Sequence, residues 1–159
     1  MFIWIILICA ALFLQTTVFS WVKLWMIKPD IITIIVLYAA LWKGPTRGAA
    51  VGFMGGIIED VFLYSSGAIL GTNAFAKVVT GFLFGLLRKR FSINSVRFQI
   101  ISSFVATLLS QLLFFFLSGI CGMGKTAGSL AHVLFPVAVY NAVLGPFVFL
   151  LLKKVVKPR

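Results

Sequence analysis

The sequence has 159 residues, of which 62% are hydrophobic and only 11% charged, with a mean hydropathy of +1.14. Soluble domains carry about 25% charged residues, and a soluble fold this short could not hide 17 Phe together with so many Leu and Ile from water; the composition excludes a water-soluble globule and places the chain in the membrane class. The net charge of +11, fourteen Lys and Arg against Asp30, Glu59 and Asp60, would suggest nucleic acid in a soluble protein, but here the basic residues stand in short joints between apolar runs. That placement reads as membrane topology and contact with anionic lipid at the basic loops, not as nucleic-acid binding.

The first predicted span covers 2–20, bracketed by Trp4 and Trp21 at the two interfaces, with Gln15 as its strongly polar interior residue. A lone Gln in such a helix is usually glue to a neighbour. No Lys or Arg precedes this run and no small-residue cleavage pattern follows it, so a signal peptide is not expected. Pro29-Asp30 reads as a helix start, because proline suits a first turn and an acid favours the positive end of the dipole. The second span, 29–42, is short for a hydrocarbon core of about 30 Å; either Leu24 to Ile27 dips in, or Lys28 and Lys43 snorkel.

A basic turn leads into the third span, 46–63. Gly44, Gly48, Gly52 and Gly56 stand four residues apart, and Asp60 continues the series. On a helix this makes a ridge without side chains that ends in a carboxylate, and it allows another helix to approach closely. The fourth span, 68–87, carries Asn73, Lys77, Gly81 and Gly85, again four apart. The partner of the ridge is therefore expected in span four through Gly81 and Gly85, in span six through Ala138, Ala142 and Gly145, or in a second protein, a homodimer included. The fifth span, 98–118, holds Gln111; the sixth, 130–152, holds Asn141, Gly145 and Pro146, with a kink expected at Pro146 and a bond from Asn141 to a neighbour.

The reading is thus an all-α integral membrane protein, a six-helix transmembrane bundle forming a single membrane domain over 1–159. With the N-terminus inside, the inner joints and tail hold ten positive charges (Lys43, Arg47, Arg88, Lys89, Arg90, Arg97, Lys153, Lys154, Lys157 and Arg159) and the outer loops three (Lys23, Lys28 and Lys125). That bias puts both termini in the cytoplasm.

Ionisable groups within spans are costly and point to function. Asp60, Asn73 and Lys77 are expected to form one buried polar cluster, with Glu59 at its edge or facing another helix, as a clamp fixing helix register. The stretch Gly119-Ile-Cys-Gly-Met-Gly-Lys125-Thr126 matches a P-loop pattern, but a membrane span rather than a strand precedes it and no acid is left for the metal-binding role, so no nucleotide site is expected. His132 has no Cys, His or carboxylate neighbours for a metal site, and two cysteines, Cys9 and Cys121, do not make a disulfide framework. No catalytic pair, cofactor site or metal site emerges, and no enzyme activity is expected.

The stretches KPDIITIIVLYAALWKGPTRGAAVGFMGGIIEDV, GAILGTNAFAKVVTGFL and YNAVLGPFVFLLLKK, in this order over nearly the whole chain, resemble the MreD family of rod shape-determining membrane proteins. Lys77 departs from that pattern, where an apolar or small residue would be expected. The resemblance implies a non-enzymatic scaffold of the bacterial elongation machinery for peptidoglycan in the inner membrane. Its implied partners are MreC and, through it, MreB, RodA and RodA's transpeptidase. It also implies a fold similar to the substrate-binding components of energy-coupling-factor vitamin transporters. The rival expectation is a small-solute binding subunit of that transporter type, with Trp25, His132 and Asn73 as the best available recognition groups. Against it, such subunits resemble one another in an Ala-x-x-x-Ala surface in span one, whereas here Ala10 and Ala11 are adjacent and Leu14 stands at the spaced position.

Overall fold

The computed structural model describes residues 2–18, 28–63, 70–89, 93–120 and 127–156. These form six α-helices and no strand. Helix α1 spans Phe2–Phe13 and continues into a π-helical turn, Leu14–Val18. Helices α2, α3 and α4 span Ile31–Lys43, Pro45–Leu63 and Thr72–Leu86, the last followed by a 3-10 turn, Leu87–Lys89. Helices α5 and α6 span Val96–Ile120 and Ala127–Val155.

Helix α2 is the axle of the bundle. Every residue from Ile31 to Leu41 is buried. A helix that is apolar all round is stable only where nothing wet touches it, and IITIIVLYAAL meets that demand with Thr33 and Tyr38 as its polar members. The shortness of the second span thus has a physical reason: α2 covers about 20 Å at helical rise because its neighbours, not lipid, surround it. Tyr38 anchors its inner end, stacked edge-on against Phe149 at 5.3 Å, lying near Trp4 and Trp42, and donating its hydroxyl to the carbonyl of Val156 at 3.1 Å.

Helices α3 and α4 pack antiparallel along the glycine ridge. A Cβ on Gly48 would lie 2.6 Å from the carbonyl oxygen of Gly81, one on Gly52 would strike the Lys77 carbonyl, and one on Gly56 would strike the Ala74 backbone. Each step of four along α3 is answered by a step along α4, down to Gly85, which rests on Pro45. The ridge is an internal contact, with span four as its partner. Gly44 is the exception to the expected series. Proline at 45 opens α3, so Gly44 belongs to the end of α2, where it caps the helix at φ 95°, a left-handed conformation suited to glycine. Gly145 on α6 allows α5 to approach through Ser103 rather than serving the ridge.

The distribution of side chains is inverted relative to a soluble protein. Phe2, Phe13, Phe53, Phe62, Phe116 and Phe147 are each more than half exposed, whereas Asp30, Asp60, Lys77, Thr80, Thr107 and Asn141 are buried. Polar groups inside and aromatic ones outside suit lipid as the surrounding solvent. Two helices, Val96–Ile120 and the Leu134–Val155 part of α6, are long and apolar enough to cross a membrane by themselves. The 13 and 15 residues of α2 and α4 fall below the usual length, and the 19 of α3 carry Arg47, Glu59 and Asp60. Helix α6 runs on through Pro136 and Pro146; each proline withholds one amide hydrogen from the helix.

Candidate functional site

The polar groups of the interior converge on one end of the bundle, where the C-terminal parts of α1, α3 and α5 meet the N-termini of α2 and α4. Asp30 is the hub. As the N-cap of α2 it accepts from the Thr33 amide at 2.9 Å and from the Thr33 hydroxyl at 2.7 Å. This is a local pattern, an acid three residues before a hydroxyl at a helix start. The same carboxylate then receives the ammonium of Lys77, which reaches from α4 to Asp30 Oδ2 at 2.8 Å. Lys77 also donates to Thr33 Oγ1 at 3.0 Å and stands 3.0 Å from Glu59 Oε2 of α3. The Glu59 contact is an ion pair without hydrogen-bond geometry: Oε2 is buried and receives no hydrogen bond.

The backbone of Asp30 is held from the other side. Its amide donates to Asn141 Oδ1 of α6 at 3.0 Å, and Asn141 Nδ2 donates back to the Asp30 carbonyl at 2.9 Å. The same Nδ2 donates to Thr107 Oγ1 of α5 at 2.8 Å, and the Thr107 hydroxyl donates to the Ser103 carbonyl at 2.8 Å. Gln15, in the turn after α1, donates to the Pro29 carbonyl at 3.1 Å. One continuous hydrogen-bonded and ionic network therefore touches all six helices. Asn141 bonds across to a neighbour as expected.

Asp60 is not part of it. It sits one position beyond Glu59, about 100° further round α3, and so continues the glycine ridge toward α4. There its carboxylate accepts from the amides of Gly71, Asn73 and Ala74 at 2.8, 3.2 and 3.2 Å and from Asn73 Nδ2 at 2.9 Å. Asp60 thus caps α4 from across the turn, where four donors and the positive helix end balance its charge. The expected single cluster of Asp60, Asn73 and Lys77 is divided in two: Asp60 with Asn73, and Lys77 with Asp30 and Glu59. Helix rotation decides the split, since Lys77 is one turn past Asn73 and its side chain crosses toward α2 instead of back along α4.

The sequence reading left Asp30 as a helix start and missed Thr33 and Thr107 as network members. The spacing of Asp30 and Thr33 was the available signal; nothing local marks Thr107 among the Ser and Thr of α5. Pro146 lies one turn inward of Asn141 and touches none of these groups. Trp21, Lys23, Trp25, Arg90, Cys121, Lys125, Thr126, Lys157 and Arg159 lie outside the described residues, as does the side chain of His132. Among the described residues no group of three His, Cys, Asp or Glu could hold a metal.

A cavity of about 310 Å³ opens beside the network, lined by Gln15, Lys28, Asp30, Glu59, Asn73 and Gln111 together with Leu12, Phe62 and Phe114. Lys28 is exposed.

Residues 1–155 match the family model described as rod shape-determining protein MreD. The chain belongs to the MreD family. No curated protein and no solved structure gives a significant match. As an MreD-family member it is a multi-pass, membrane-associated protein of the inner membrane with a role in determining rod shape, and it is a scaffold rather than an enzyme. The network described above ties residues of α2, α3, α4, α5 and α6 to one another. Each of its polar groups faces another and none is arranged as nucleophile and base.

Proposed function

We propose that this chain is a six-span membrane scaffold of the machinery that elongates the cell wall. In this reading it binds the bitopic protein MreC and through it links MreB filaments to RodA and its transpeptidase in peptidoglycan synthesis. The observation that carries the reading is the extent of the family match, 1–155 of 159 residues. The architecture agrees. The interior ion pairs join one helix to another, and many large apolar side chains, among them Phe53, Phe62, Phe116 and Phe147, are exposed on the outside, where other transmembrane segments could pack. Both termini face the cytoplasm in this reading, the basic loops lie against anionic lipid, and the fold is that of the energy-coupling-factor substrate-binding components.

Co-purification tests it. The full chain, solubilised gently from cells, carries MreC with it, and cells lacking the chain lose rod shape and regain it with the wild-type gene. Recovery of rod shape by a chain that no longer retains MreC would sink the proposal. Reporter domains fused to each end should both report the cytoplasm.

A second reading has one observation in its favour, the polar-lined cavity of about 310 Å³, near the lower limit for small-molecule sites. A vitamin-type solute retained at stoichiometric level after purification would favour a transporter subunit. The adjacent Ala10 and Ala11 speak against docking on a transport motor of that type.

A further inference from the structure

The cavity does not end at its polar wall. A second hollow of about 180 Å³ lies between α1 and α3, lined by Cys9, Leu12, Phe13, Thr16 and Phe62. Leu12, Thr16 and Phe62 line both spaces, so the polar chamber continues into an apolar groove running toward the middle of α1. The chamber has its own charge pattern. Among the described residues two carboxylates, Asp30 and Glu59, share one ammonium, Lys77, which leaves one negative charge in excess, and the Glu59 side chain is 15% exposed. Lys28 supplies a positive charge at the exposed rim.

We propose that these two hollows hold a single membrane phospholipid with a primary ammonium head, a phosphatidylethanolamine. Its ammonium donates to Glu59 in the chamber, its phosphate meets Lys28 at the rim, and the first methylenes of an acyl chain lie along Leu12 and Phe62. An ammonium brings donors to the part of the Glu59 carboxylate side chain that stays open to the chamber and balances the excess charge. A purely anionic head would set a phosphate beside Lys28 with nothing to offer Glu59. A free zwitterion would leave the groove empty, with its aromatic and aliphatic walls unused. The assignment goes beyond the scaffold reading and does not rest on it.

The test uses the purified full chain, stripped of native lipid in detergent. Native mass spectrometry and thermal unfolding follow the addition of dioctanoyl phosphatidylethanolamine, dioctanoyl phosphatidylglycerol or glycerophosphoethanolamine, the head alone. The expected result is one phosphatidylethanolamine per chain, bound about tenfold or more tighter than phosphatidylglycerol, the worth of one charge-assisted hydrogen bond. The head alone binds far more weakly. Glu59→Gln removes the preference between the two lipids. Lys28→Ala, at an exposed position, weakens both lipids without touching the buried ion pairs, so the site is still tested should Glu59→Gln fold poorly. Equal binding of the two lipids by the wild type, an unchanged preference in Glu59→Gln, unchanged affinities in Lys28→Ala, or binding of the head alone as tight as that of the lipid each overturns the assignment; the last would point to a soluble zwitterion.

Discussion

Lys77 and Asp30 are 47 positions apart in the chain and 2.8 Å apart in the structure, each almost wholly buried. Among the described residues Lys77 is the cation that meets both Asp30 and Glu59. Removing the cation should therefore leave two carboxylates uncompensated in a dry interior. Lys77→Met is expected to destabilise the protein by about 3–5 kcal/mol, the usual result of deleting one partner of a buried pair. Thermal melting in detergent and the steady-state level in membranes both read it. Adding Glu59→Gln and Asp30→Asn to Lys77→Met should restore much of the loss, since no charge then remains unpaired; no recovery in the triple variant would show that the pairs are not the source of the effect.

The α3–α4 contact makes a sharper prediction about size. At Gly52 and Gly56 even a methyl group meets the backbone of the facing helix, at Lys77 and Ala74 respectively. Backbone cannot step aside as a side-chain tip can. Gly52→Ala or Gly56→Ala should cost about 1–3 kcal/mol through overpacking, and Gly52→Leu should abolish assembly. Gly119→Ala, where nothing lies within 4 Å, should stay within about 0.5 kcal/mol of wild type. Melting curves of the set, ranked in that order, check the packing.

Asp60 should behave as a cap, not as an ion-pair member. Asp60→Ala is expected to cost about 2 kcal/mol, the upper range for loss of an N-cap, because three backbone amides lose their acceptor at once and that of Ala74 is buried. The distinctive readout is local. Amide hydrogen exchange at Gly71, Asn73 and Ala74 should accelerate in Asp60→Ala while the exchange of α2 amides near Asp30 is unchanged. Equal acceleration at both places would mean that the two polar groups form one unit.

Asn141 holds the backbone of Asp30 by both its amide and its carbonyl. Asn141→Ala leaves the buried Asp30 amide unpaired and takes one bond from the Asp30 carbonyl, which still accepts the first bond of α2, with an expected loss of about 1–3 kcal/mol. Asn141→Asp should be worse despite its equal size. An ionised Asp cannot donate to the Asp30 carbonyl and adds a further negative charge beside a triad already in excess. Parallel unfolding measurements of the two variants decide the order.

Parts of this arrangement could be read before any coordinates. Gly48, Gly52 and Gly56 define a bare stripe by spacing alone; Gly81 and Gly85 offered one candidate partner beside span six and a second protein, and packing selected them. Pro29-Asp30 marks a helix start for similarly local reasons. Gly44 was misplaced on the ridge because spacing does not see that Pro45 begins a new helix. The pairing of charges could not be read. Glu59 and Asp60 are neighbours in sequence but face different helices, and which of them meets Lys77 depends on the rotation of α3 and α4 about their axes.

The amino-acid order alone established that lipid surrounds this protein, that its helices are joined by short basic turns, and that one pair of helices closes tightly, because hydropathy, loop charge and four-residue spacing are properties of single segments. Only the tertiary structure decided that α2, too short to span a bilayer unaided, is the central helix, and that Asp30, at its start, joins Lys77 and Asn141 from two other helices. The reason is geometric. A buried polar group is satisfied by whichever donor the packing of several helices carries to within about 3 Å, and neither depth nor rotation is written in any one segment.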